Sequence, residues 1–201
     1  MKITPIAHNL DLAKPTEGYV RSPGLHASDL YGSFYRALDP SRYDKRNDAG
    51  EPEPMDEAKI GMGLGFEELL EPILAERYLG ARPGEFVSPE GIIYTPDYIF
   101  DIDGKLILGE FKLTWYSLRG APSDSKFAKW ITQIKLYCHW LSQYLGVPML
   151  TAWLVALFVN GDYKRIRKPT PLAWELEFTP RELQDEADMI LRHGRSKGMI
   201  Q

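Results

Sequence analysis

Apolar positions along the chain change period, and the period predicts the element. Leu30, Phe34 and Leu38 recur every fourth residue, so a helix is expected over 29–38, capped by Ser28 and ended by Pro40. A second helix is expected over 57–79, with Phe66, Leu69, Leu70, Ile73 and Leu74 on its apolar face. Pro72 has no N–H to give the carbonyl of Glu68, which predicts a kink or a boundary there. The pattern then turns β-branched and aromatic: a strand after Gly91 (92–100), a turn over 101–105 and a second strand over 106–114. Past a loop over 115–125, a long helix is expected over 125–145, its core face made by Phe127, Trp130, Ile131, Ile134, Cys138, Leu141 and Leu145. Residues 149–159 are apolar enough for a central strand, and Asn160–Gly161 is a hairpin-turn signal. Thr179, Pro180 and Glu182 mark the start of a last helix over 180–193.

Two segments carry no such period. Residues 1–25 hold Pro5, Pro15 and Pro23 and read as an extended lead-in. Residues 41–57 are polar, with Gly50, Pro52 and Pro54, and read as a mobile loop too short to separate two domains. The order helix, helix, strands, helix, two strands, helix predicts an α/β fold with a central mixed sheet flanked by helices, one domain over 1–201.

Composition excludes several classes. With 44% hydrophobic and 26% charged residues, the chain is neither disordered nor fibrous. No apolar run approaches the roughly 20 residues of a membrane span, and the first residues lack the apolar core of a secretory signal. A soluble, cytoplasmic protein with no membrane partner is therefore expected. Cys138 is the only cysteine, which rules out a disulfide within the chain and argues against a cysteine-ligated zinc or iron–sulfur site. It is expected in the core. His8, His26, His139 and His193 show no metal-ligand spacing. A net charge of −4 speaks against a purely nucleic-acid-binding module but not against an enzyme with local basic patches.

Candidate chemistry concentrates in Thr95–Pro96–Asp97 and Gly109–Glu110–Phe111–Lys112. Strand alternation puts Leu106, Leu108, Glu110, Lys112 and Thr114 on one face and Ile107, Phe111 and Leu113 on the other. A carboxylate and an ammonium on a largely buried strand cost on the order of several kcal/mol each to desolvate. A metal ion, a partner charge or both must compensate. Antiparallel pairing across the 101–105 turn can set Asp97 beside Glu110, where two carboxylates repel unless a cation intervenes. Oxygen-only ligands suit Mg²⁺ or Mn²⁺, and Lys112 is placed to orient a water and offset negative charge. Lys126, Lys129 and Lys135 read equally well as a phosphate-tracking ridge or as a solvated helix face. Trp115 and Tyr116 can stack on an unpaired base or pack locally.

These residues resemble the PD-(D/E)XK nuclease signature, read at Pro96, Asp97, Glu110 and Lys112. Two further features are similar to the subset containing the RecB nuclease domain and lambda exonuclease: an acid on a helix after a glycine, with Glu67 the best candidate against Glu68 and Glu71, and a Gln-x-x-x-Tyr pair at Gln133 and Tyr137. The resemblance spans about residues 26–193. It implies a restriction-endonuclease-like core and a metal-dependent DNA nuclease with one or two Mg²⁺ or Mn²⁺ ions. The ligands it implies are Glu67, Asp97, Glu110 and the backbone carbonyl of Phe111. Lys112 would be the catalytic lysine, Gln133 and Tyr137 would arrange the substrate, and Arg36, Lys126 and Lys129 would meet DNA phosphates. It favours an exonuclease in phage-type recombination, repair or replication, in a bacterial or phage-infected cell. A homo-oligomer and a single-strand-annealing or other recombination partner fit the same resemblance. The alternatives are a sequence- or structure-specific endonuclease on the same core and a noncatalytic DNA-binding module.

Overall fold

The computed structural model describes residues 1–6, 22–43 and 57–201. Its elements run β1 (Lys2–Ile6), α1 (Ala27–Leu38), α2 (Pro40–Tyr43), α3 (Glu57–Ala75), β2 (Leu79–Ala81), β3 (Phe86–Val87), β4 (Ile93–Tyr94), β5 (Tyr98–Ile102), β6 (Lys105–Thr114), α4 (Ala128–Leu145), β7 (Thr151–Phe158), β8 (Thr170–Glu177) and α5 (Pro180–Ser196). The main sheet has six strands in the order β1-β8-β7-β6-β5-β2, with β3 and β4 paired separately. β6 and β7 are parallel and the other neighbours antiparallel. The parallel pair is joined through α4, since parallel strands need a crossover of a dozen or more residues. This is the α/β architecture expected above, a mixed sheet flanked by helices.

The strand alternation read for β6 sorts its residues to two cores. Leu108 joins the larger core with Leu30, Ile134, Cys138, Leu141, Leu154 and Ile190, under α1, α4 and α5. Ile107 and Phe111 join the smaller one, with Phe66, Leu70 and Leu74 of α3 against Tyr98 and Phe100. Each fully buried side chain of this size contributes roughly 1.5–3 kcal/mol. Gly109 permits the close packing beneath α3: a Cβ there would lie 2.7 Å from the Phe100 ring. The β5–β6 turn needs left-handed backbone at Asp103 (φ 53°) and Gly104 (φ 77°), the pairing that two-residue hairpins favour.

Several expectations shift. α1 begins at Ala27 with His26, not Ser28, in the N-cap position, where the His26 amide donates to Asp29 at 3.2 Å. Leu38 is 66% exposed, because residues four apart advance 400° and the Leu30–Phe34–Leu38 series drifts ~80° off one face. Ala27, Leu30, Tyr31 and Tyr35 form the buried stripe instead. α3 ends at Ala75 and runs through Pro72, which lies on the exposed side where water can serve the abandoned carbonyl. Leu145 is 37% exposed in a last turn that faces solvent. Pro96 splits the 92–100 run into β4 and β5. Asn160–Gly161 does not close a tight hairpin: β7 ends at Phe158 and β8 starts at Thr170. The lead-in contains an edge strand, β1, and the 41–57 loop opens with α2; residues 7–21 and 44–56 lie outside the described residues.

α5 begins as read, with Thr179 Oγ1 accepting from the Glu182 amide at 3.2 Å and the Glu182 carboxylate accepting from the Thr179 amide at 2.9 Å. Thr179→Ala is expected to cost about 1 kcal/mol of stability. A urea denaturation midpoint unchanged from wild type contradicts that cap.

Candidate active site

β5 and β6 build the centre of the site. Tyr98 pairs with Gly109, so the next step of the same antiparallel register sets Asp97 opposite Glu110. Pro96 brings no N–H to extend the ladder, and the Asp97 side chain takes over: its Oδ2 accepts from the Phe111 amide at 2.6 Å. In an extended strand a residue's N–H and C=O point to the same edge. The Phe111 carbonyl therefore faces the Asp97 side, beyond the end of the β5 ladder.

Glu110 is completely buried. Its Oε1 accepts from the Lys112 ammonium and from Gln133 Nε2 of α4. Its Oε2 is buried with no partner. Gln133 Oε1 in turn accepts from the Tyr31 hydroxyl of α1 at 3.1 Å. Tyr137, one turn beyond Gln133, is buried against the Tyr94 ring, 5.5 Å between centroids. A cleft between the start of α1 and Ile93–Thr95 reaches Tyr137.

Electrostatics tie α3 to this group. Burial, and then the Asp97 charge, push the Glu67 carboxyl up to about 7. Glu67 also pairs with Arg82 at 3.2 Å. Burial raises Asp97, opposed by Lys112, the Phe111 amide, Arg82 and a hydrogen bond with Glu110. Burial raises Glu110 well above the ordinary carboxylate range, and Asp97 and Glu67 add to it. Burial alone would push Lys112 down, but Glu110 and Asp97 hold its ammonium above the ordinary range. Three carboxyls thus share two cations in a space with little water. Of the three acids offered by α3, Glu67 feels Asp97 and Glu110, whereas Glu71 acts on Tyr98.

Among the described residues, no three His, Cys, Asp or Glu side chains form a metal cage by themselves. The arrangement nonetheless fits a hard divalent cation with few protein ligands. Two carboxyls meet, one buried carboxylate oxygen has no partner, a backbone carbonyl faces the same side, and every donor is oxygen.

Of the expected phosphate contacts, Arg36 lies on α1, Lys126 just before α4 and Lys129 in its first turn. Arg36 is exposed in the last turn of α1, and its charge lowers Lys129 further after burial has done so. Lys126 Nζ donates to the Arg119 carbonyl at 2.6 Å and lies over the Phe127 ring. Lys135 pairs with Glu186 at 2.8 Å. Lys126 and Lys135 thus both hold partners within the fold. Tyr116 is exposed and sets its edge against Phe127. His26 and His139 bond four residues away, to Ser22 and Gln143, and His193 of α5 bonds Ser33 of α1; His8 lies outside the described residues. Two groups of the site escaped the sequence reading. Tyr31 adjoins Leu30 in the buried stripe and carries a polar tip, a signal that was available. Arg82 lies just past β2, and no pattern marks it.

The raised carboxyls have a linkage consequence. A folded state that keeps protons the unfolded chain has released loses stability as pH rises. For Glu67 the contribution is full below 4.5 and lost on passing about 7. His139 and His193, pushed down by burial, act with the opposite sign. Comparison with Glu67→Gln isolates the acid. In chelator, the melting temperature relative to that variant is expected to fall from pH 5 to pH 8, and saturating Mn²⁺ is expected to restore it. A difference that stays flat with pH contradicts the assignment.

No helix among the described residues is long and apolar enough to cross a membrane. No protein-family model matches the chain, and no curated protein does. Among solved structures, one described as the crystal structure of SSO0001 aligns with 87% of this chain and 78% of its own, at a TM-score of 0.48 and 17% sequence identity.

Proposed function

We propose that this protein is a divalent-metal-dependent DNA nuclease. The observation that carries the reading is Glu110: a fully buried carboxyl that meets Asp97, with one oxygen held by Lys112 and Gln133 and the other accepting from no N–H or hydroxyl among the described residues. Two carboxyls brought together in the interior cost several kcal/mol unless a proton or a cation lies between them. The order Asp97, Glu110, Lys112 matches the nuclease signature that the sequence resembles.

Asp97, Glu110 and the Phe111 carbonyl would hold the ion, with Glu67 next to them. A bound Mg²⁺ or Mn²⁺ supplies a water of lowered pKa and draws charge from a phosphate oxygen. Glu110 is kept from rotating by Gln133, which Tyr31 holds in turn. Lys112, on the same strand face, holds the attacking water and offsets the negative charge on the phosphoryl oxygens. Water oxygen adds to phosphorus and gives up a proton to solvent, one ester P–O bond breaks, and the leaving sugar oxygen takes a proton from a second water. Tyr137 closes the wall beside the cleft.

The direct test incubates end-labelled single- and double-stranded DNA with Mg²⁺, Mn²⁺ or chelator. Cleavage with either metal and none with chelator is expected. Absence of cleavage in all conditions contradicts the proposal. Exonuclease action, favoured by the resemblance alone, predicts that closed circular duplex survives while linear DNA is degraded.

A further inference from the structure

The connection between β7 and β8 concentrates positive charge. Lys164, Arg165, Arg167 and Lys168 fall within five residues of a chain whose net charge is −4, and all are exposed. Among the described residues none of them enters an ion pair with an acid.

The backbone beneath them is not slack. Buried Asp162 collects the amides of Lys164, Arg165 and Ile166 on Oδ1 at 2.9, 2.7 and 2.7 Å. Its own amide donates to the Ile166 carbonyl at 2.8 Å, and its Oδ2 pairs with Arg119 at 3.1 Å. Gly161, at φ 54°, permits this closure, since a Cβ there would meet the Ile166 carbonyl oxygen at 2.2 Å. Four like charges repel one another, and a loop built only for connection has no reason to hold them rigidly together in water.

The position is informative too. Lys112 is in register with Ala156, so β7 ends at Phe158 only about 7 Å further along. The Val159 amide donates to the Thr114 carbonyl at 2.9 Å and the Leu118 amide to Gly161 at 3.0 Å, which ties the loop to the exit of the strand carrying Glu110 and Lys112. A nucleic-acid strand entering the site passes this end of the sheet within a few phosphates, at ~3.4 Å of axis per charge on one strand.

We infer that the 159–169 loop is a preorganised clamp for the phosphates of the DNA strand whose scissile bond reaches Lys112. The inference rests on the nuclease reading and adds the surface that holds the substrate. Because the loop backbone is already ordered, binding orders only side-chain rotamers. The acidic centre repels DNA, and the neighbouring clamp offsets that repulsion.

The test combines Lys164→Gln, Arg165→Gln, Arg167→Gln and Lys168→Gln in the full chain, with a melting curve to confirm folding. A charge-keeping control exchanges each Lys for Arg and each Arg for Lys. Substrates are labelled single- and double-stranded oligonucleotides, cleaved with Mg²⁺ and bound in Ca²⁺ by fluorescence anisotropy over a salt series. Neutralisation is expected to raise KM and the dissociation constant on the order of 10²-fold near 0.1 M salt, with kcat within about twofold. The slope of log affinity against log salt should weaken by about 3, and the control should behave as wild type. If wild type cleaves and the neutralised variant keeps its KM and salt slope, the clamp is wrong and the nuclease reading stands. If wild type binds DNA without cleaving it and neutralisation abolishes binding, the loop holds DNA phosphates, but the nuclease reading fails and with it the delivery of a scissile bond to Lys112. If wild type neither binds nor cleaves, both fail.

Discussion

Lys112→Ala is expected to lose at least about a hundredfold in DNA cleavage while still binding DNA. The magnitude follows from what one placed electrostatic group contributes in a water-poor site, about 10²–10³ in rate. Binding survives because the lysine faces inward, onto Glu110, and is only 19% exposed. The variant also separates a catalytic lysine from a structural one. Removing one partner of a buried ion pair costs roughly 3–5 kcal/mol when the other stays charged. Glu110 already sits well above its ordinary range and can take a proton instead, which moderates the loss. A variant that folds, binds and does not cleave is thus the expected result, checked by a melting curve, anisotropy and a gel assay together. Wild-type turnover in Lys112→Ala sinks the role assigned to it.

The second large effect is expected at Asp97. Two substitutions divide its duties. Asp97→Asn retains an oxygen that can accept from the Phe111 amide but removes the charge that a cation needs. Its folding should match wild type, while titration calorimetry should show the heat of Mn²⁺ binding lost and cleavage should fall below detection. Asp97→Ala should do the same and also leave the Phe111 amide without its acceptor, at about 1–3 kcal/mol of stability. Unchanged Mn²⁺ heat in Asp97→Asn removes this residue from the ligand set. Loss of stability in both variants alike would assign Asp97 a purely structural task.

Both experiments probe a centre whose order along the chain is simple and whose assembly is not. Glu110 and Lys112 are two apart on a strand, and alternation alone puts them on one face. Asp97 is 13 residues upstream of Glu110, and a two-residue turn with left-handed Asp103 and Gly104 returns the chain so that the two fall in register. These relations are local, and short-range geometry is what residue order encodes most directly. The last helix is similar, since its start depends on the capping box formed by Thr179 and Glu182.

Local rules failed where packing, or the lack of it, or an adjacent side chain decided instead. Leu38 and Leu145 lie beyond what the sheet and adjacent helices cover. Pro72 breaks one hydrogen bond, but Phe66, Leu70 and Leu74 keep α3 packed on the sheet as it passes. Asn160–Gly161 has the chemistry of a tight hairpin, yet Asp162 draws the following amides into a longer loop.

The sequence by itself determined the α/β class, the Asp97–Glu110–Lys112 grouping on one sheet face and the helix that delivers Gln133, because each follows from periodicity or a turn within some 25 residues. Only the tertiary structure decided that Glu67 feels Asp97, that Tyr31 holds Gln133 across 102 residues and that Lys126 and Lys135 are engaged rather than open. Those outcomes depend on how helices pack over the sheet. Packing brings together groups with no fixed spacing in the chain, and it sets which charges lose their water and must find a partner.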